Sequence, residues 1–294
     1  MRRALAFVSL ALVLVIGGLL AFTSPPRLLS IYDWAMGGGS GSQQVAEGVP
    51  FGSHGQTLDI WAPANASADK LPVVIFWYGG GWAKGDRAAY AFAGRALANE
   101  GFLVVIPDYR KVPQVRFPAF LQDGAEAVAW VEDNIAKHGG DPAQLAFMGH
   151  SAGAYQAIML ALDSQRLVAA GADPSNVKAA VGLSGPYDFY PFDSPRSIAA
   201  FGKWPRPMET QPIEFVRADA PPLLLVTSEG DETVRPKNAN NLGAKLRDLD
   251  ARVEVKNYGL LDHEEVVMAL SVPFRSKGPL LADSVAFLKA QMGK

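Results

Sequence analysis

The 294-residue chain has no cysteine and only four histidines, His54, His138, His150 and His263. The absence of cysteine excludes disulfides, a thiol nucleophile, thiolate-held zinc and lipid attachment at cysteine. No two histidines stand at metal-ligand spacing, so a multi-histidine metal site is not expected; no cofactor is implied either. Charge of one sign is lacking too. Lys and Arg number 27 against 29 Asp and Glu, giving a net charge of -2. No long single-sign run marks a nucleic-acid-binding face, so no nucleic-acid partner is expected. Hydrophobic content is 49%, which argues against disorder. The length suits one large α/β domain.

The first apolar feature is Ala4 to Phe22, nineteen residues without a charge behind Met1-Arg2-Arg3. Its length approaches a bilayer span of about 20 residues. A secretory signal has a shorter apolar stretch and a small-x-small cleavage site, and Ala21-Phe22-Thr23 is a poor one. Residues 1–23 therefore read as a membrane anchor or a signal peptide. Either places the protein in the cell envelope, anchored or exported to the extracytoplasmic side. Residues 24–44, with Pro25-Pro26 and Gly37-Gly38-Gly39-Ser40-Gly41-Ser42, read as a linker.

From residue 45 onward, apolar runs of strand length alternate with stretches of helical periodicity. Strands are expected at Leu58–Trp61, Leu71–Tyr78, Phe102–Ile106, Leu145–Met148, Val177–Leu183, Pro222–Thr227 and Val253–Tyr258. Helices are expected at Ala88–Glu100, Ala119–His138, from Ala154, from about Pro236, and at Pro279–Met292. This alternation means a mostly parallel sheet covered by helices on both faces. It breaks at about 186–220, where prolines and aromatics crowd together. That stretch reads as a cap over a site.

At Gly149-His150-Ser151-Ala152-Gly153 a buried strand turns abruptly into a helix with Ser151 at the apex. Gly149 and Gly153 supply the absence of bulk that so tight a turn requires. A serine hydroxyl becomes a nucleophile when a base takes its proton and a carboxylate orients that base. In parallel sheets such groups gather after the carboxyl ends of strands. Asp231 follows one strand and His263 the next. Glu229 and Glu232 are the alternative acids; Asp262 is too near His263 in sequence to orient it. His150 points away from its neighbour across the turn and reads as structural support. Gly79-Gly80-Gly81-Trp82 follows the central strand. The N–H groups of Gly80, Gly81 and Ala152 are candidates for binding an oxyanion.

Taken together, these motifs resemble the α/β-hydrolase superfamily, in its esterase/lipase branch with a Gly-Gly-Gly-Trp oxyanion loop. That branch includes feruloyl and acetyl-xylan esterase-like proteins and kynurenine-formamidase-like enzymes. The resemblance also rests on Asp108-Tyr109-Arg110 and Phe117-Pro118-Ala119, and covers residues 45–294. It implies an α/β-hydrolase fold and hydrolysis of small acyl or aryl carboxylic esters through an acyl-enzyme. Ser151 would be nucleophile, His263 base and Asp231 acid. An amidase or arylformamidase with the same triad is the alternative, and a non-catalytic, membrane-tethered binding protein is another. Tyr78, Trp82, Tyr187 and Phe189 are the candidate pocket residues. Tyr78 stands where the branch often has His, and Gln114 stands where Glu often follows its Tyr-Arg-x-x-Pro motif.

Overall fold

A computed structural model describes residues 24–66 and 70–293. The expected anchor or signal at 1–23 lies outside them. Eight strands form one sheet: β1 (Ser42–Phe51), β2 (Gln56–Pro63), β3 (Leu71–Trp77), β4 (Leu103–Pro107), β5 (Gly140–His150), β6 (Val177–Leu183), β7 (Leu223–Thr227) and β8 (Val253–Asn257). Their spatial order is β1-β2-β4-β3-β5-β6-β7-β8. β2 runs antiparallel to β1 and to β4, and the remaining pairs are parallel. This is the α/β-hydrolase fold.

The central strands are apolar on both faces because both faces are covered. Val73, Val74, Ile75, Phe76 and Trp77 of β3 are wholly buried, as are Leu145 to Met148 of β5. The flanking helices are α1 (Pro25–Asp33), α2 (Ala91–Asn99), α3 (Ala119–Asn134), α4 (Ala152–Leu162), α5 (Ser164–Ala169), α6 (Pro195–Phe201), α7 (Lys237–Arg247), α8 (His263–Met268) and α9 (Leu280–Gln291). α4 is buried along its whole length, which explains why its sequence is apolar on every side but for Gln156.

The parallel register aligns the strand ends. Trp77 pairs with Gly149, His150 with Leu183, Leu183 with Val226, and Thr227 with Asn257. The segments after β3, β5, β7 and β8 therefore leave the sheet along one edge.

Two expectations are corrected. The linker at 24–44 is instead mostly ordered structure. Pro25 and Pro26 open α1, where a missing N–H costs nothing. Asp33 then reaches Arg95 (2.8 Å) and accepts from the Val272 amide (2.9 Å), docking the helix on the domain. The wide turn Trp34–Gly38 is broken within at Gly37, whose φ is 90°. The other correction is β1, which the apolar pattern did not mark. It is an edge strand with irregular register against β2 and mostly solvated side chains, so no apolar alternation was required of it.

The stretch after β6 packs as α6 and two short helical turns, Pro207–Thr210 and Pro212–Phe215. Phe201 of α6 stacks with Phe192 and meets Trp82, Phe117, Phe120 and Tyr155 edge-on or tilted. The aromatics of this insertion thus build a floor shared with the main domain.

Candidate active site

Ser151 occupies the sharp turn between β5 and α4 with φ 56° and ψ -121°, a conformation that non-glycine residues adopt only when their surroundings enforce it. The enforcement is visible at both glycines. A Cβ on Gly149 would strike the backbone of Gly153, and one on Gly153 would strike the carbonyls of Trp77 and Tyr78. The turn places Ser151 Oγ 2.8 Å from Nε2 of His263, whose Nδ1 lies 2.8 Å from Oδ2 of Asp231. His263 begins α8, where Asp262 caps the helix by accepting from the Glu265 amide. Asp262 therefore turns away from the imidazole.

Asp231 is almost wholly buried. Its Oδ1 accepts from the amides of Thr233 (3.0 Å) and Val234 (2.7 Å), leaving Oδ2 for His263. Burial alone would raise its pKa. The hydrogen bond and charge of His263, with the Val234 amide, outweigh burial and hold the carboxyl below its ordinary range. The other two acids lie elsewhere: Glu229 accepts from Asn257, and Glu232 lines the mouth of the cavity.

His150 is buried, with Nε2 3.0 Å from the backbone carbonyl of His263. A carbonyl can only accept, so Nε2 carries the proton and Nδ1 faces the Tyr90 hydroxyl at 3.4 Å. Burial, and then the proximity of His263, lower its pKa to about 3. It does not contact Ser151 as a base.

Beside Ser151 lies the turn after β3. Gly80, Gly81 and Trp82 take φ of 131°, 60° and 58°, a run that explains the glycines. The Gly80 carbonyl accepts from Ala83 and Lys84, and the Trp82 carbonyl from Val112. Among the described residues, the amides of Gly80, Gly81 and Ala152 have no acceptor. Ala152 also opens α4, whose N-terminal end favours negative charge.

A family model described as BD-FAE matches residues 58–246, well over half the chain. The chain belongs to the BD-FAE family. It is 31% identical over 212 residues to esterase LipC of Mycobacterium tuberculosis, covering 65% of this chain and 52% of LipC. It is 29% identical over 273 residues to the isoprenylcysteine alpha-carbonyl methylesterase ICME of Arabidopsis thaliana, covering 85% and 63%. The chain spans about half the length of the curated relatives it matches. Among solved structures, an esterase from the archaeon Pyrobaculum calidifontis superposes with a TM-score of 0.70 at 22% identity, covering 90% of this chain and 91% of that one. A carbohydrate esterase from gut microbiota gives 0.72 at 22% identity, covering 86% and 96%. At these identities the two structures bear on the fold.

In this BD-FAE chain Ser151 opens into a cavity of about 580 Å³, within the range of small-molecule sites. Trp82, Phe189 and Tyr190 form its apolar wall, while Arg196, Arg235 and Lys237 bring charge to its mouth. The latter three were not anticipated. Arg235 and Lys237 follow Asp231 by only a few residues, a proximity that could have marked them; nothing in the sequence of the cap marks Arg196.

Two expected pocket residues are corrected. Tyr78 is fully buried behind the glycine turn. Its hydroxyl donates to Asp108 (2.8 Å) and accepts from Lys111 (2.8 Å), and its ring stacks on Tyr109. Tyr187 is also fully buried, its ring pressed against Gly182 and Gly185. Tyr78 precedes the glycine turn and Tyr187 follows Ser184-Gly185-Pro186, and the direction of each side chain is set by packing that the sequence does not express.

The described residues hold one cluster of possible metal ligands, His54, Asp123 and Glu126. Its carboxylates are otherwise engaged. Arg110 and Gln56 hold the Asp123 carboxylate, and Ser53 holds both oxygens of Glu126.

Proposed function

We propose that the chain is a serine hydrolase that cleaves carboxylic esters of small acyl or aryl groups through an acyl-enzyme. The observation that carries this reading is the unbroken chain from Ser151 Oγ through His263 to Asp231, with Ser151 lining an open cavity. The names of the relatives, esterase and methylesterase, support the same chemistry. His263 Nε2 takes the proton of Ser151 as Oγ attacks the ester carbonyl. The carbonyl electrons move onto oxygen, and the amides of Gly80, Gly81 and Ala152 receive the oxyanion. Collapse of this intermediate expels the alcohol, which His263 protonates. A water then gives its proton to His263 and attacks the acyl group, and Ser151 leaves as the hydroxyl when the acid departs. Asp231 keeps the imidazole in the tautomer that presents a bare Nε2 to serine.

The test is covalent labelling by a fluorophosphonate. Wild type should label and hydrolyse p-nitrophenyl acetate, while Ser151→Ala should do neither. An unlabelled, folded wild-type protein would overturn the proposal. Faster turnover of an N-formyl arylamine than of the acetate ester would move the reading from ester to amide chemistry.

A further inference from the structure

α1 is amphipathic the wrong way round. The side chains it buries against the domain are Leu29, Ser30 and Asp33. The two polar ones are fully engaged: Ser30 Oγ donates to the Ala89 carbonyl (2.8 Å), and Asp33 binds Arg95 and the Val272 amide. Its outer side, continued by the turn Trp34–Gly38, carries apolar groups instead. Ile31 and Tyr32 are each 49% exposed, Trp34 68% and Met36 50%. Of the eleven large apolar side chains exposed among the described residues, four fall within these six positions. A surface helix ordinarily turns its apolar stripe to the core. Here buried hydrogen bonds and an ion pair hold that stripe outward.

The surroundings say what kind of medium would cover it. Arg27 lies one helical turn before Ile31, and the exposed Arg275 lies in the turn Val272–Lys277, whose Phe274 ring meets Tyr32 edge-on at 6.5 Å. A groove of about 320 Å³ beside the helix is bounded by Arg27, Trp34, Trp61 and Arg95, with Glu47 and the Arg87-paired Asp59 as acidic neighbours. Tryptophan and tyrosine beside arginine are the side chains of a membrane–water interface. The sequence ahead of α1 fits the same medium. The uncharged run Ala4–Phe22 ends three residues before Pro25, a span of at most about 11 Å. A bilayer that holds this run is therefore within reach of α1. Among the described residues, no helix is long and apolar enough to cross a membrane.

We propose that the outward face of α1 and its following turn, Ile31, Tyr32, Trp34 and Met36 flanked by Arg27 and Arg275, is a membrane-docking surface that seats in the headgroup layer of an anionic bilayer. Docking there makes a second attachment beyond the apolar run and fixes how the domain faces the lipid. The Asp33–Arg95 pair transmits that orientation to the sheet. This surface stands independently of the chemistry at Ser151.

The chain has no cysteine, so Ile31→Cys, Met36→Cys and, as a control on α5, Val168→Cys each give a unique site for a nitroxide label. All three positions are exposed, and the substitutions should leave the fold intact. The full-length protein is reconstituted with vesicles of phosphatidylcholine and phosphatidylglycerol, and label collisions with oxygen and with a water-soluble nickel complex are measured. The expected result is a several-fold rise in the oxygen-to-nickel ratio at 31 and 36 and no change at 168. The proposal is overturned if 31 and 36 remain as open to nickel as 168. It is equally overturned if both are shielded from both reagents, or if spin–spin broadening shows a second copy seated on the face.

Discussion

The imidazole Nε2 of His150 donates to the backbone carbonyl of His263 across 3.0 Å, and the two rings lie 4.8 Å apart. The residue before Ser151 therefore holds the backbone from which His263 projects. Removing this donor deletes the tie between the β5–α4 turn and the first residue of α8 and lets the start of that helix shift relative to the turn. A hydrogen bond of this kind has a net worth of about 0.5–1.5 kcal/mol. His150→Ala should accordingly lower kcat by about 3–10-fold with little change in KM. His150→Gln, which can restore a donor, should recover most of the loss. Steady-state kinetics on folded variants checks this, and equal activities for Ala and Gln would show that the hydrogen bond positions nothing.

The same residue predicts an acid sensitivity. The folded chain keeps His150 neutral down to about pH 3, whereas an unfolded histidine titrates near 6.5. Between these values the unfolded state binds a proton that the folded state refuses. Stability from this group is thus fully present above pH 6.5 and is lost as pH falls toward 3, by about 1.4 kcal/mol per pH unit at the steepest. Urea unfolding at a series of pH values should show this slope in wild type and a shallower one in His150→Gln. Parallel slopes would contradict the assignment.

Tyr78 separates a structural role from a substrate-binding one. Its hydroxyl joins Asp108 to Lys111 directly behind the glycine turn, and the Tyr109 hydroxyl donates to its backbone carbonyl at 3.0 Å. Tyr78→Phe keeps the ring and deletes both contacts of the hydroxyl. It should cost about 1–2 kcal/mol of stability, read as a lower urea midpoint. KM for small esters should stay unchanged, because the residue does not reach the cavity. A raised KM with unaltered stability would return Tyr78 to the pocket.

The proximity of Ser151, Asp231 and His263 was legible in the sequence for a physical reason. A parallel sheet with aligned strand ends delivers every following loop to one edge, so position after a strand is enough to predict a meeting. The strands themselves were legible where both faces are covered, as in β3 and β5. Legibility ended where a side chain's direction depends on distant packing. Tyr78 and Tyr187 lie next to the site in sequence and turn into the core. His150 binds a backbone atom 113 residues away, a contact that no residue pattern encodes. Pro25-Pro26 signalled a linker, yet the same dipeptide opens a helix when Asp33 and Ser30 have partners on the domain.

Those partners give the last prediction. Asp33 and Arg95 are both buried, and Arg95 Nη2 donates to the Asp33 carboxylate at 2.8 Å and also to the Ser30 carbonyl. Arg95→Met preserves most of the aliphatic bulk while leaving the carboxylate without its cation. Breaking one side of a buried pair typically costs about 3–5 kcal/mol. Release of α1 is an alternative to bearing that cost, because the helix can undock and take Asp33 into water. Proteolysis should therefore cut the variant near Gly37-Gly38-Gly39 under conditions where wild type resists. Asp33→Asn, which keeps a neutral acceptor for the Val272 amide, should be milder. If Arg95→Met leaves both the urea midpoint and the cleavage pattern of wild type intact, the pair does not hold α1 on the domain.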